Sequence, residues 1–179
     1  SPCFMTIKTI FLDRDGVINK EVNYLSKIED FEFIEGVFDA CLFFENMGYK
    51  IIIISNQSGI ERGYFNDNAY HILTSWMLKQ FKLNGIVILD TYYCPHLPET
   101  MCNCRKPKTG MLEMANKTHG IDFKNSWLIG DKETDIQAAH TVGIKNTILV
   151  KSGHLIDEHR SNALFIIDSI KEATKTITS

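Results

Sequence analysis

The sequence predicts an α/β fold built on a doubly wound parallel sheet with helices on both faces, in the Rossmann-like manner. Short apolar runs with strand character alternate with amphipathic helical patterns, which is typical of a parallel sheet covered on both sides. The strand-like runs are residues 7–12, 50–54, 86–92, 126–129 and 147–150. Several of them end in polar or glycine-containing turns, and sheets of this kind bind their ligands at those ends.

The segments between the strands carry helical periodicity and recognisable helix ends. Asn66 has a side chain suited to capping the second helix. A terminal helix is expected to begin at Asp168 or Ser169, with Glu172 completing a capping box. The other helices are predicted over residues 37–48, 66–82, 109–120 and 133–143.

The length of 179 residues suits one domain with a sizeable core, and no tract suggests a linker or a separate cap domain. Residues 1–4 precede Met5 and are interpreted as a foreign remnant, which leaves 5–179 as the domain. The net charge of −3 argues against nucleic acid as a partner. No stretch reaches the ~20 apolar residues of a membrane helix. Without a secretory signal or an unused apolar stripe, the protein is expected to be a cytoplasmic monomer.

The most informative motif is the pair Asp13 and Asp15, directly after the first apolar run. Side chains alternate along a strand, so the two carboxylates are expected on one side and Arg14 on the other. Gly16 follows them, as it would in an ordinary polar turn. The pair by itself therefore leaves a metal-dependent reaction centre and a simple turn equally open.

Polar groups also follow two other strands. Residues 55–59 combine a hydroxyl group with backbone N–H groups that can hold phosphate oxygens, although polar turns of this kind are common. Asp131 ends the fourth strand, and Asp135 follows at the start of a helix, where an acid can also serve the helix dipole. Together with Asp13 and Asp15, Asp131 would supply the hard oxygen ligands that magnesium prefers.

Five cysteines are present, and three of them lie close together with a histidine. Clustered cysteines in a reducing compartment indicate metal binding rather than disulfides. Three thiolates and one imidazole suit tetrahedral zinc, and a closed set of four leaves no open position for catalysis. We therefore predict a zinc-binding loop of structural type, with the ligands Cys94, His96, Cys102 and Cys104.

Two basic residues, Arg105 and Lys106, follow the last of these ligands directly. A loop pinned by zinc would hold both side chains in place, and Pro107 favours an extended backbone at Lys106. Basic residues beside a rigid loop are predicted to bind an anion rather than to be merely solvated.

These motifs, in this order at successive strand ends, resemble the haloacid dehalogenase superfamily of phosphatases. The resemblance covers roughly residues 7–150 and consists of an Asp-x-Asp motif, a Ser, a Lys and an acidic Gly-Asp motif. The Cys/His loop resembles a narrower, zinc-containing branch without a cap domain, which includes heptose bisphosphate and histidinol-phosphate phosphatases. The segments similar to the heptose enzymes are residues 11–16, 31–37, 56–63, 92–96 and 104–112.

The resemblance implies a phosphatase that works through an aspartyl phosphate. Asp13 would attack phosphorus, while Asp15 would protonate the leaving oxygen and later deprotonate water. Ser55 and Lys106 would bind the phosphoryl oxygens, where negative charge develops.

The resemblance also implies a magnesium site and a set of substrate contacts. The magnesium ligands would be Asp13, Asp131 and the backbone carbonyl of Asp15, with Asp135 orienting this acidic corner. Arg105 would be a natural partner for a second phosphate group. The residues expected to contact the rest of the substrate are Glu21, Asn23, Tyr24, Asn56, Gln57, Ser58, Arg105 and Lys132.

Among phosphosugar substrates, the resemblance favours heptose 1,7-bisphosphate, with loss of its C7 phosphate on the way to nucleotide-activated heptose for lipopolysaccharide. The loop between His96 and Cys102 is short, as in the histidinol-phosphate enzymes, which makes histidinol phosphate the alternative substrate. A non-catalytic phosphosugar-binding or interaction protein is a third interpretation. Such a protein would not need all three of Asp13, Asp15 and Asp131.

Overall fold

The computed structural model describes residues 5–178, so the remnant inferred at residues 1–4 lies outside the described part of the chain. The strands are β1 (Thr9–Leu12), β2 (Lys50–Asn56), β3 (Asp90–Cys94), β4 (Trp127–Gly130), β5 (Asn146–Val150) and β6 (Phe165–Ile167). They form a six-stranded sheet in the order β3-β2-β1-β4-β5-β6, and every neighbouring pair is parallel. The chain therefore winds outward from β1 in both directions, which confirms the predicted doubly wound sheet.

The α-helices are α1 (Val37–Asn46), α2 (Asp67–Leu83), α3 (Gly110–His119) and α4 (Glu133–Val142). The side chain of Asn66 accepts a hydrogen bond from the Ala69 N–H at 2.9 Å and so caps α2 as predicted. Gly143, with a φ of 98°, ends α4 in the left-handed conformation that favours glycine. No helix among residues 5–178 is long and apolar enough to cross a membrane.

Alternate side chains of β2 contribute to two separate cores. Ile51 and Ile53 pack in a buried cluster with residues of α1 and α2, whereas Ile52 and Ile54 pack with residues of α3 and α4. This division follows from the period of two along a strand, and it places helices on both faces of the sheet. Because helices cover both faces of the sheet, a ligand can reach it only at the ends of the strands.

Three elements differ from the prediction. The sixth strand was not predicted, because its three residues are too few to show a pattern. The strand predicted at residues 86–92 begins later, at Asp90, because Ile86 is buried against the core ahead of the β3–β2 ladder. The terminal segment Ile170–Lys175 forms a 3-10 helix, although its capping box of Ser169 and Glu172 is present as expected.

The segment 16–36, called the flap below, crosses from β1 to α1 above the carboxyl ends of the strands. Its regular structure is one short 3-10 helix at Ile28–Asp30. The ring of Phe31 lies 5.3 Å from the ring of Trp76 in α2, which fixes the base of the flap on the helix. Tyr24 has a φ of 55°, which is uncommon for a residue with a side chain and marks a tight reversal near the flap tip.

Candidate active site

Asp13 and Asp131 meet because β1 and β4 are neighbours in the sheet. Leu12 is paired with Ile129, so the residues that follow these two strands lie at the same edge. Asp135 joins them from the first turn of α4, and carboxylate oxygens of the three acids lie within 4.8 Å of one another. Three carboxylates this close repel one another unless positive charge lies between them.

Lys106 supplies part of that positive charge. Its Nζ lies 3.2 Å from Asp13 Oδ1, 2.6 Å from Asp135 Oδ1 and 3.0 Å from the carbonyl oxygen of Ile54. Burial alone would lower the pKa of Lys106, but the two carboxylates outweigh it and raise the pKa, which keeps the side chain protonated. The Asn56 amide holds the Lys106 backbone, accepting from its N–H at 3.1 Å and donating to its carbonyl at 3.2 Å.

The cluster of Asp13, Asp131 and Asp135, called the acidic corner below, is electrostatically unfavourable without a bound cation. Burial raises the pKa of Asp13 well above its ordinary value, and Asp135 and Asp131 raise it further against the opposing effect of Lys106. Asp131 Oδ1 is buried and has no hydrogen-bond partner. Leaving a buried carboxylate oxygen without a partner is costly. Both observations fit a divalent cation bound by Asp13 and Asp131.

Asp15 lies in the opposite electrostatic environment. Burial favours its neutral form, but Arg14 and hydrogen bonds from Asn19 and Gln57 lower the pKa of Asp15 below its ordinary value. Arg14 Nη2 lies 3.0 Å from Asp15 Oδ1, Asn19 donates to the same oxygen at 2.9 Å, and Gln57 donates to Oδ2 at 3.0 Å. Arg14 is buried rather than turned away from the acids, and its Nη2 also donates to the carbonyl of Leu25 in the flap at 3.3 Å.

A cleft of about 270 Å³ opens at the acidic corner. Ser55, predicted to bind phosphoryl oxygens, is fully buried and does not line the cleft, but its Oγ accepts a hydrogen bond at 2.6 Å from Gln57, which does. The hydroxyl proton of Ser55 is therefore free to be donated to a further acceptor. The cleft lining includes every residue that was predicted to contact the substrate, namely Glu21, Asn23, Tyr24, Asn56, Gln57, Ser58, Arg105 and Lys132.

Among the cleft residues that were not predicted are two with basic side chains, Arg62 and His154. The guanidinium carbon of Arg62 lies 5.7 Å from the centre of the Tyr24 ring, and Tyr64 packs against the same ring at 4.6 Å. Arg62 lies within the segment that resembles the heptose enzymes, so a basic residue there could have been identified. His154 follows the end of β5, but nothing in its local sequence distinguishes it from a surface histidine.

The carboxylate of Asp131 is enclosed on one side by backbone. A Cβ added at Gly16 or Gly153 would overlap Asp131 Oδ2. The same oxygen accepts hydrogen bonds from the backbone N–H of His154 at 3.0 Å and pairs with His154 Nδ1 at 2.6 Å. Glycine is therefore required at both positions by the close approach of this side chain.

Replacing Gly153 by Ala is expected to destabilise the protein by about 1–3 kcal/mol, as overpacking does in a filled site. Gly153 does not have a positive φ, so the clash with Asp131 is the cause rather than backbone strain. Urea unfolding measures the loss. Gly63, which has open space around it but a φ of +82°, provides the comparison, because Gly63→Ala tests strain without the clash. Unchanged stability in Gly153→Ala would contradict the packing described.

The predicted Cys/His set comes together beyond the end of β3. The ligand atoms of Cys94, His96, Cys102 and Cys104 lie within 4.8 Å of one another. Cys94 Sγ lies 3.8 Å from Cys102 Sγ and 3.5 Å from His96 Nδ1. Three thiols converging on one ring nitrogen fit a tetrahedral zinc ion in chemistry and in ligand number.

The Cys/His loop is fastened to the loop after β2. Glu61 accepts a hydrogen bond from the backbone N–H of Leu97 and from the hydroxyl of Thr100, the latter at 2.8 and 2.9 Å. The backbone N–H of Gln57 donates to the carbonyl of Cys94 at 2.7 Å. The cleft residues on both loops are thereby held in one arrangement.

Known proteins resemble the chain over most of its length. It is 48% identical to the D-glycero-alpha-D-manno-heptose-1,7-bisphosphate 7-phosphatase of Photorhabdus laumondii, with 88% of this chain and 90% of that protein covered. The Campylobacter jejuni protein of the same name is 47% identical, with 82% of this chain and 84% of that protein covered. The chain belongs to the heptose-1,7-bisphosphate 7-phosphatase family.

The family also contains enzymes named for the other anomer. Photorhabdus laumondii has a D-glycero-beta-D-manno-heptose-1,7-bisphosphate 7-phosphatase that is 40% identical, with 96% of this chain and 95% of that protein covered. The HAD-hydrolase-like family model matches residues 103–173, which include Lys106 and Asp131. The expected membership of the haloacid dehalogenase superfamily, in its heptose bisphosphate phosphatase branch, is confirmed.

A solved structure of the heptose bisphosphate phosphatase family has the same fold. The D,D-heptose 1,7-bisphosphate phosphatase of B. bronchiseptica, determined with magnesium and phosphate, aligns with a TM-score of 0.82 at 25% identity. The alignment covers 95% of this chain and 97% of that one. The fold of this chain is thus similar over nearly its whole length to that of the solved heptose bisphosphate phosphatase. Together with the named relatives, this shows that the protein is a phosphatase.

Proposed function

We propose that this protein is a magnesium-dependent phosphatase that removes the C7 phosphate of D-glycero-α-D-manno-heptose 1,7-bisphosphate. The observation that carries this proposal is the convergence of Asp13, Asp131 and Lys106 at the ends of neighbouring strands. The α-anomer is favoured because the relatives named for it are 47–48% identical to this chain, against 37–42% for those named for the β-anomer.

In the proposed reaction, an Asp13 carboxylate oxygen forms a bond to phosphorus while the bond from phosphorus to the C7 oxygen breaks. Asp15 gives its proton to that oxygen, and an aspartyl phosphate remains on Asp13. Asp15 then takes a proton from water, whose oxygen bonds to phosphorus while the bond from phosphorus to the Asp13 oxygen breaks, which releases inorganic phosphate and restores the Asp13 carboxylate. The negative phosphoryl group beside Asp15 favours the protonated form that the first step needs.

Magnesium would be held by Asp13, Asp131 and the backbone carbonyl of Asp15, where it would neutralise charge on the transferring phosphoryl group. Lys106 and Ser55 would donate hydrogen bonds to the phosphoryl oxygens. Asp135 holds this corner in shape, since its Oδ2 accepts from the backbone N–H groups of Asp131 and Lys132 at 3.2 and 3.1 Å.

Zinc would be bound by the Cys/His set in a structural role. It would stiffen the loop that carries Arg105 and Lys106, and Arg105 would then meet the phosphate group that the substrate retains at C1. The Nη1 of Arg105 donates to the carbonyl of His96 at 3.3 Å, and the other N–H groups of the guanidinium remain available to donate to an anion. Glu21, Asn23, Tyr24, Ser58 and Lys132 would contact the sugar.

We further propose a compartment, an oligomeric state and a use of the product for this enzyme. We place the enzyme in the cytoplasm, a reducing compartment in which clustered cysteines remain available to bind zinc. We propose that residues 5–179 form one phosphatase domain that acts as a monomer. The product keeps its phosphate at C1, which is the group needed to attach a nucleotide, as in nucleotide-activated heptose for lipopolysaccharide.

A substrate panel tests this function. The kcat/KM for the α-anomer of heptose 1,7-bisphosphate is expected to exceed that for the β-anomer and for histidinol phosphate by about tenfold or more, which corresponds to ~1.4 kcal/mol of transition-state binding. Phosphate release at saturating magnesium provides the measurement. Faster turnover of the β-anomer would move the protein to the other branch of the family, and preference for histidinol phosphate would overturn the proposed substrate class.

A further inference from the structure

His154 reaches the acidic corner from the loop after β5. Its side chain is 39% exposed, so one end of the imidazole borders the cleft while the other is buried against Asp131. The Nδ1 and the backbone N–H of His154 both contact the same oxygen, Asp131 Oδ2. A residue that uses two of its polar atoms on one carboxylate oxygen fixes the rotation of that carboxylate.

The two oxygens of Asp131 are thereby given different environments. Oδ2 is enclosed by Gly16 and Gly153 and bonded by His154. Oδ1 is buried and has no hydrogen-bond partner, and the carboxylate to which it belongs lies in the cluster with Asp13. The carboxylate can therefore offer one oxygen, and only in one direction, to a cation in the acidic corner.

The outer nitrogen of the same imidazole faces the flap. His154 Nε2 lies 3.8 Å from Glu21 Oε1, and Glu21 borders the cleft. A single side chain thus lies between a carboxylate of the acidic corner and Glu21 of the flap.

We propose that His154 is a positioning residue that holds Asp131 for binding of a divalent cation through Oδ1 and links this carboxylate to Glu21. The inference rests on the metal site of the proposed function. Outer partners of metal ligands set the orientation of those ligands, and their loss typically weakens metal binding about 10–100-fold.

Three substitutions separate the two contacts of the imidazole. The amide nitrogen of Asn can replace Nδ1, so His154→Asn keeps the donor to Asp131 and loses the reach to Glu21. The longer Gln can replace Nε2, so His154→Gln keeps the contact with Glu21. His154→Ala removes both.

Cation affinity is measured on the zinc-loaded protein without substrate, by titration with Mn²⁺ followed by electron paramagnetic resonance. We expect His154→Ala to bind Mn²⁺ about tenfold more weakly than the unchanged protein, and His154→Asn to bind within about threefold of it. In steady-state assays, His154→Asn is expected to raise KM for the bisphosphate more than it lowers kcat, because Glu21 loses its partner.

Two further variants make the result decisive. His159→Ala changes an exposed histidine of the same loop region and is expected to leave Mn²⁺ affinity unchanged. Asp131→Asn is expected to abolish tight Mn²⁺ binding. If Asp131→Asn binds Mn²⁺ normally, the metal site of the proposed function is wrong. If Asp131→Asn loses binding but folded His154→Ala keeps it, or if His154→Asn fails to restore it, the positioning role is wrong while the proposed function stands.

Discussion

Replacing Asp13 by Asn is expected to lower kcat for the heptose bisphosphate by roughly 10⁴-fold or more, since loss of a nucleophile that acts together with its partners has effects of this size. An amide cannot attack phosphorus to form the covalent intermediate. It also removes one negative charge from a corner that holds three acids within 4.8 Å, so the folded protein is expected to keep or gain stability. Phosphate release and thermal unfolding, measured on the same sample, separate the two effects.

Asp39→Asn is a matched control for this experiment. Asp39 lies exposed in α1, so the same change of carboxylate to amide is made away from the cleft. The control is expected to keep full kcat. Undiminished phosphate release by Asp13→Asn at saturating magnesium would exclude Asp13 as the nucleophile and, with it, the proposed mechanism.

Replacing Cys102 by Ser is expected to remove tightly bound zinc and to lower kcat by about 10²-fold, the size of effect that loss of a charged or hydrogen-bonding group at the transition state produces. Three ligands would remain, and the loop between β3 and α3 would lose its fixed shape. Lys106 depends on that loop for the position of its Nζ beside Asp13. Metal content per chain and kcat at saturating magnesium are the measurements.

Cys41→Ala provides the comparison, because Cys41 is a free thiol buried in α1, away from the Cys/His set. It is expected to keep its zinc and its kcat, with a modest loss of stability from the smaller side chain. A zinc-free Cys102→Ser protein with full activity would show that Lys106 is positioned without the metal.

The parts of the fold that follow from side-chain periodicity were predictable from the sequence. Buried parallel strands such as β2 are nearly continuous runs of Ile, and the ends of α2 and α4 carry a capping Asn and a terminating Gly. The strand β6 was not predictable, because its three residues carry no strand pattern of their own and are extended only by pairing with β5. The late start of β3 was likewise decided by packing, since burial of Ile86 precedes the ladder.

The candidate site was predictable where its residues follow strands directly. Asp13 and Asp131 come at the ends of β1 and β4, so sheet topology alone brings them together. The inward turn of Arg14 was not predictable from strand alternation, because Asp15 and the flap carbonyl of Leu25 attract its guanidinium after the strand has ended. His154 was missed because its contact with Asp131 joins residues that are distant in sequence.

The position of the residues proposed to contact the sugar has a consequence for how this family diverges. Asp13 and Asp131 follow central strands directly, whereas Glu21, Tyr24 and Ser58 lie on the flap and on the loop after β2. Exposed loops accept substitution more readily than buried strand ends. Selection can therefore alter which sugar is accepted while the phosphate chemistry stays constant, and relatives named for opposite anomers can share the same reaction centre. Comparison of flap sequences between those two groups is the natural starting point for locating the determinants of anomer choice.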